Sequence, residues 1–137
     1  MKIRNTEVKV IQADIKDKVS LKACIIHNVN LGGSVRPDEA FIRLSCKRAL
    51  QKARKIRVSC LALVVSGYIE SGFPEAGIAK IMAQEIFRSL WFDAPKTSLK
   101  EIILITPDKS TYNIFNKNLL SYLSYITHKI QQGPFIT

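Results

Sequence analysis

The apolar residues of this chain fall into clusters with two different periods. Residues 7–15, Glu-Val-Lys-Val-Ile-Gln-Ala-Asp-Ile, are rich in strand formers, with Val8, Val10 and Ala13 at strand intervals, and the charged Lys16-Asp17-Lys18 ends the run. Residues 22–30 predict a second strand whose continuous apolar centre, Ala23 to Ile26, suits burial on both faces. A third strand is expected over 58–65, Val-Ser-Cys-Leu-Ala-Leu-Val-Val. A fourth is expected over 99–106, centred on Ile102-Ile103-Leu104-Ile105 and stopped by Pro107. Between and after these, the spacing changes to that of a helix. Ile42, Cys46, Ala49, Leu50 and Ala53 predict a helix that opens at Pro37-Asp38-Glu39 and runs to about Lys55. Ile78, Ile81, Met82, Ile86 and Leu90 predict a second, opened by Pro74-Glu75 and closed by Trp91-Phe92-Asp93-Ala94-Pro95. Phe115, Leu119, Tyr122, Leu123 and Ile126 predict a third, with Asp108 as its N-cap, and the tail 131–137 with Gly133-Pro134 is expected to be loose.

The order β β α β α β α predicts an α/β protein: a three-layer α/β/α arrangement around a mostly parallel central sheet, in one domain over 1–137. A hydrophobic content of 47% places the chain among globular and not disordered sequences. No apolar run approaches the ~20 residues that cross a bilayer, and the first residues lack the apolar stretch of a secretion signal. The expectation is a soluble, cytoplasmic protein without a membrane partner. Cys24, Cys46 and Cys60 show no Cys-x-x-Cys spacing and sit in apolar segments, so buried thiols are expected rather than a disulfide framework or a zinc site. His27 and His128 are the only histidines, and no metal site is expected.

Charge changes this picture. The net charge is +10, and residues 1–57 hold 14 Lys/Arg against 5 Asp/Glu while 58–137 hold 7 against 6. No acidic residue falls between Ala40 and Ile69, an interval containing Arg43, Lys47, Arg48, Lys52, Arg54, Lys55 and Arg57. A one-sided basic field concentrates anions such as phosphates, nucleotides or nucleic acid, without choosing among them.

Candidate chemistry gathers at strand ends. In a parallel sheet, ligands bind outside the carboxyl ends of the strands. There this sequence puts Asp14, then Asn30 with Gly32-Gly33, then Ser66-Gly67. Glycine-bearing loops present backbone N–H groups to an anion without a bulky side chain, though each signal taken singly is equally that of a plain turn. The chain contains neither a Gly-x-x-x-x-Gly-Lys-Ser/Thr loop nor an evident nucleophile and base pair.

From Val8 to about Ser124 the motifs resemble those of the macro domain family, the ADP-ribose-binding fold. Gln12-Ala13-Asp14-Ile15 is similar to the family's Gly-Asp-Ile strand end, His27-Asn28-Val29-Asn30 to its Asn-Ala-Ala-Asn motif, and Gly32-Gly33-Ser34-Val35 to its first phosphate loop. Ser66 to Pro74 resembles its second phosphate loop, with an extra residue. The resemblance implies that Asp14 accepts the adenine amino group with Ile15 beside it, and that Asn30 contacts the distal ribose. It also implies that Gly32, Gly33, Ser34, Val35, Ser66 and Gly67 surround a diphosphate. Tyr68 or Phe73 would pack against the distal ribose, a core or loop-packing role being the alternative for each. His27 stands where the family has asparagine and is read as a structural residue. Two family strands between the glycine loop and the first long helix are nearly absent here. The expected order of the four core strands is therefore 1-4-3-2, with 22–30 as a new edge covered by a loop or by a second copy of the chain.

Three functional readings follow. The first is a binding module for ADP-ribose or a related nucleotide, with no cofactor. The second is a hydrolase of ADP-ribosyl esters using Asn30 and Asp38, although Asp38 matches the family's acid only after a shift. The third is nucleic-acid binding through basic residues 43–57. Against the third, residues 1–57 contain one aromatic, Phe41, and so lack the stacking platform of single-strand binders.

Overall fold

The computed structural model describes residues 2–13, 24–28, 39–70, 72–93 and 98–132. Strands form where β-branched and apolar residues run together: β2 over Thr6–Gln12, β3 over Cys24–Asn28, β4 over Cys60–Val64 and β5 over Glu101–Thr106. A two-residue β1, Lys2–Ile3, precedes them. The sheet runs β1-β2-β5-β4-β3, with β2, β5, β4 and β3 parallel and β1 antiparallel on β2. Among the described residues it thus has five strands where the sequence predicts four, because Arg4 adopts a left-handed φ of 54° and folds Lys2–Ile3 back onto β2. β4 starts at Cys60 rather than Val58. The Ser59 carbonyl is already turned to accept the amides of Lys100 at 2.7 Å and Glu101 at 3.1 Å.

The helices are α1 over Glu39–Lys55, a one-turn α2 over Ser66–Ile69, α3 over Glu75–Arg88 with a π-helical turn over Ser89–Asp93, and α4 over Lys109–Gln132. Ile42, Cys46, Ala49, Leu50 and Ala53 are all buried on α1, as their spacing predicts. Asp108 caps α4, its Oδ1 accepting the Thr111 amide at 2.8 Å. Residues 131–132, expected to be loose, belong to α4, and the rest of the tail, 133–137, lies outside the described residues.

Strand connections explain where the helices lie. From β3 through α1 to β4, and from β4 through α3 to β5, the chain steps one strand at a time in the same direction. Right-handed crossovers therefore put both helices on one face. α4 follows β5, packs beside α3 and reaches β2, completing a row α1, α3, α4. These helices, the facing strand residues Val8, Val10, Leu61, Leu63, Ile102 and Leu104, and Val65 just past β4 form the main core. A smaller cluster of Cys60, Ala62, Val64, Ile103 and Ile105, with Ile11 and Ala13, lies on the other face. The second helical layer expected there is not found among the described residues. The one connection that crosses the sheet in the opposite sense, from β2 to β3, has residues 14–23 outside them.

Two cysteines behave differently. Cys60 is disulfide-bonded, which corrects the expectation of free thiols; Cys46 is free, and Cys24 stands opposite Cys60 in the strand register. Burial pushes the Cys46 thiol up to about 12 from 9.0. Burial also raises the Tyr68 hydroxyl above its usual range. Both groups hold their protons more tightly folded than unfolded, so the contribution of Cys46 is complete below about pH 9 and is lost as pH climbs from there to about 12, whereas that of Tyr68 begins to be lost only above about pH 10. Urea titrations between pH 8 and 11 are expected to show stability falling by up to ~1.4 kcal/mol per pH unit per group, with Cys46→Ala flattening the slope; a flat wild-type profile would contradict this.

Candidate functional site

Parallel pairing brings the carboxyl ends of the four long strands level. Gln12 is opposite Thr106, Ile105 is opposite Val64, and Val64 is opposite Asn28. Four strands at about 4.8 Å spacing make an edge about 14 Å wide. The Ala13 amide extends the β2–β5 ladder by one more bond, to the Thr106 carbonyl at 3.2 Å. The next residue is Asp14. Asn30 follows the end of β3 by two positions. Asp14, Ile15, Asn30, Gly32, Gly33, Ser34, Val35 and Asp38 lie outside the described residues.

The second loop is described almost completely, and it is more regular than its glycines suggest. The Val65 amide bonds to the Ile105 carbonyl at 2.9 Å, and the chain turns at once into α2. The amides of Tyr68 at 2.9 Å and Ile69 at 3.1 Å donate to the Val65 carbonyl, and that of Glu70 donates to Ser66 at 3.1 Å. Ser66 and Gly67 come first in the turn, where a helix offers their amides no acceptor of its own. Gly72, at φ 83°, takes the left-handed conformation that redirects the chain into α3.

The two aromatic candidates separate. Tyr68 is wholly buried, a core residue whose hydroxyl lies 3.4 Å from Ser45 Oγ on α1. Its ring fastens α2 to α1 and offers no face to the edge. Phe73 is half-buried against the main core and lies over the first turn of α3, where a Cβ on Gly77 would stand 2.8 Å from Phe73 Cε1. Gly77 thus makes room for that ring. His27 lies within β3, its Cα paired with that of Leu63.

Sequence reading missed the groups that brace this end of the molecule. Thr106 is fully buried and donates to the Ile11 carbonyl at 2.7 Å, tying the ends of β2 and β5. Thr111 donates to Glu75 at 3.0 Å, tying α4 to the first turn of α3. Arg43 bridges α1 and α3, donating to Glu85 at 2.8 Å and to Gln84 at 2.8 Å, and within α1 to Glu39 at 2.9 Å. Hydrogen bonding to Glu85, more than any other contact, raises the Arg43 guanidinium's proton affinity. Glu85 occurs among Ile81, Met82 and Ile86, and a carboxylate inside an apolar stripe was the available signal. Among the described residues, no group of three or more His, Cys, Asp or Glu could hold a metal ion, and no helix is long and apolar enough to cross a membrane.

The chain is similar to an alanine-substituted macrodomain of Oceanobacillus iheyensis, with a TM-score of 0.54 and 20% identity, over 75% of this chain and 50% of that one. It is also similar to a Trypanosoma brucei macrodomain solved in complex with ADP, with a TM-score of 0.49 and 16% identity, over 61% of this chain and 35% of that one. No family model and no curated protein matches the chain. The fold is a shortened, divergent macrodomain fold. This chain spans about half the length of the Oceanobacillus structure, in keeping with the near absence of the segment after the glycine loop.

Proposed function

We propose that the carboxyl edge of the sheet binds ADP-ribose or a related nucleotide. The observation that carries this reading is the level ending of four parallel strands, with the Ser66–Gly67 turn following directly on the end of β4. The macrodomain fold supports it. Asp14 accepts the adenine amino group with Ile15 beside it, and Asn30 contacts the distal ribose. Gly32, Gly33, Ser34, Val35, Ser66 and Gly67 surround the diphosphate, where converging N–H dipoles hold charge without a cation. Phe73 packs against the distal ribose, and Tyr68 acts by holding the turn in place from beneath.

Calorimetric titration with ADP-ribose at low and high salt, with AMP as comparator, tests the reading. The expected result is saturable binding that tolerates salt, tighter for ADP-ribose than for AMP, and weakened about tenfold by Asn30→Ala through the loss of about 1.4 kcal/mol of hydrogen bonding. Absence of saturable heat with a folded protein would reject it.

A further inference from the structure

The basic residues of the first helix do not serve the carboxyl edge. α1 leaves the carboxyl end of β3 and returns to the amino end of β4, so its C-terminal half lies at the opposite end of the molecule. Lys47, Arg48, Lys52, Lys55 and Arg57 are exposed and Arg54 half-buried there, and none makes an ion pair among the described residues. Other cations do: Arg43 and Arg88 meet Glu85, and Lys9 meets Glu101. Basic residues in the last turn also complement the helix dipole, which accounts for part of the charge. It does not account for Lys47 and Arg48, nor for Arg57, which lies past the end.

Backbone conformation adds an independent sign. α1 ends in a turn in which the Val58 amide reaches the Ala53 carbonyl and the Arg57 amide the Arg54 carbonyl, both at 3.2 Å, with Arg57 left-handed at φ 58°. Glycine is the usual occupant of that position, and a side chain there is strained. The other non-glycine residue with positive φ among the described residues is also an arginine, Arg4, and it too lies at the amino end of the sheet. Both left-handed positions carry a cation where glycine would relieve strain.

Aromatic residues complete the surface. The π-helical turn after α3 contacts α1 and brings Trp91 and Phe92 to this end. The Arg4 guanidinium sits 4.3 Å above the Trp91 ring, and Trp91 stacks on Phe87 at 5.7 Å. Phe92 stands edge-on to Phe87 at 5.9 Å and is 65% exposed. Trp91 is thereby engaged by both Arg4 and Phe87, whereas Phe92 stays largely open to solvent. The aromatic partner that residues 1–57 lack is supplied by the fold from a turn far along the chain.

We propose that this amino-end surface binds single-stranded nucleic acid, with the α1 cations and Arg57 on successive phosphates and Phe92 beneath a base. Arg48, Lys52 and Lys55 recur on one helical face over about 10 Å, a row suited to tracking a backbone. The site is separate from the nucleotide edge and does not depend on it.

The test is fluorescence anisotropy with labelled dT12 at several salt concentrations, with a duplex of equal length and poly-glutamate as comparators. Four phosphate contacts give a slope of about −3 in log K against log salt. Lys52→Gln with Lys55→Gln flattens it by about 1.4, and Phe92→Ala weakens binding about tenfold. All three positions are exposed, so thermal melts verify that the variants stay folded. Saturating ADP-ribose leaves dT12 bound. No binding at low salt, equal or tighter binding of the duplex or of poly-glutamate, indifference to these substitutions, or displacement by ADP-ribose would each overturn the proposal.

Discussion

Tyr68→Ala is expected to lower the free energy of unfolding by about 3–5 kcal/mol, the range for truncating a large aromatic in a packed core. Tyr68 is among the largest fully buried side chains of the protein, and its ring joins α2 to the main core. Removing it leaves a cavity beneath the turn that opens onto the proposed nucleotide edge. Tyr68→Phe keeps the ring and loses only a 3.4 Å contact with Ser45, whose hydroxyl is part-buried and within reach of water. That change is expected to cost less than about 1 kcal/mol and to leave ADP-ribose affinity within a factor of about two. Urea unfolding and calorimetry on the two variants separate the roles. Loss of nucleotide binding in Tyr68→Phe at unchanged stability would mean that the hydroxyl reaches the ligand.

The second large effect belongs to Arg43. Glu85 is 2% exposed, and Arg43 is its close partner at 2.8 Å, with Arg88 at 3.7 Å. Arg43→Met keeps most of the side-chain volume and leaves the buried carboxylate with only the longer Arg88 contact, so a loss of about 3 kcal/mol is expected. A buried pair replaced as a unit behaves differently, because both desolvation costs vanish together. Arg43→Met with Glu85→Leu is expected to recover most of the loss, giving a coupling energy above about 2 kcal/mol in a double-mutant cycle. If Arg43→Met unfolds at the wild-type urea midpoint, α1 and α3 are held by apolar packing alone.

Much of the fold could be read from the sequence because it rests on periodic burial. The α1 stripe and the α3 set Ile78, Ile81, Met82, Ile86 and Leu90 are buried as spaced, and the apolar runs at 60–64 and 101–106 became the two central strands. What escaped reading depends on long-range or conformational detail. β1 needs a left-handed Arg4, which no composition signals. The turn Ser66–Ile69 was read as a loop because Gly67 hides a helix-compatible step. The π-helical turn shows only as a helix end, since Trp91-Phe92 followed by Pro95 looks like a stop. At the site, the register that levels the strand ends follows from the parallel order, whereas the inward aim of Tyr68 follows from a partner on α1, 23 residues earlier.

The sheet order bears on synthesis at the ribosome. β2 is made before its long parallel partner β5, which follows it by about 94 positions, Glu7 pairing with Glu101. By contrast, β3, α1, β4 and α3 pair and pack with near neighbours and can form in the order they emerge. The nascent chain therefore carries an apolar strand, Val8, Val10 and Ile11, that waits for Ile102 to Ile105 before it is covered. In the meantime it is exposed apolar surface of the kind that chaperones shield.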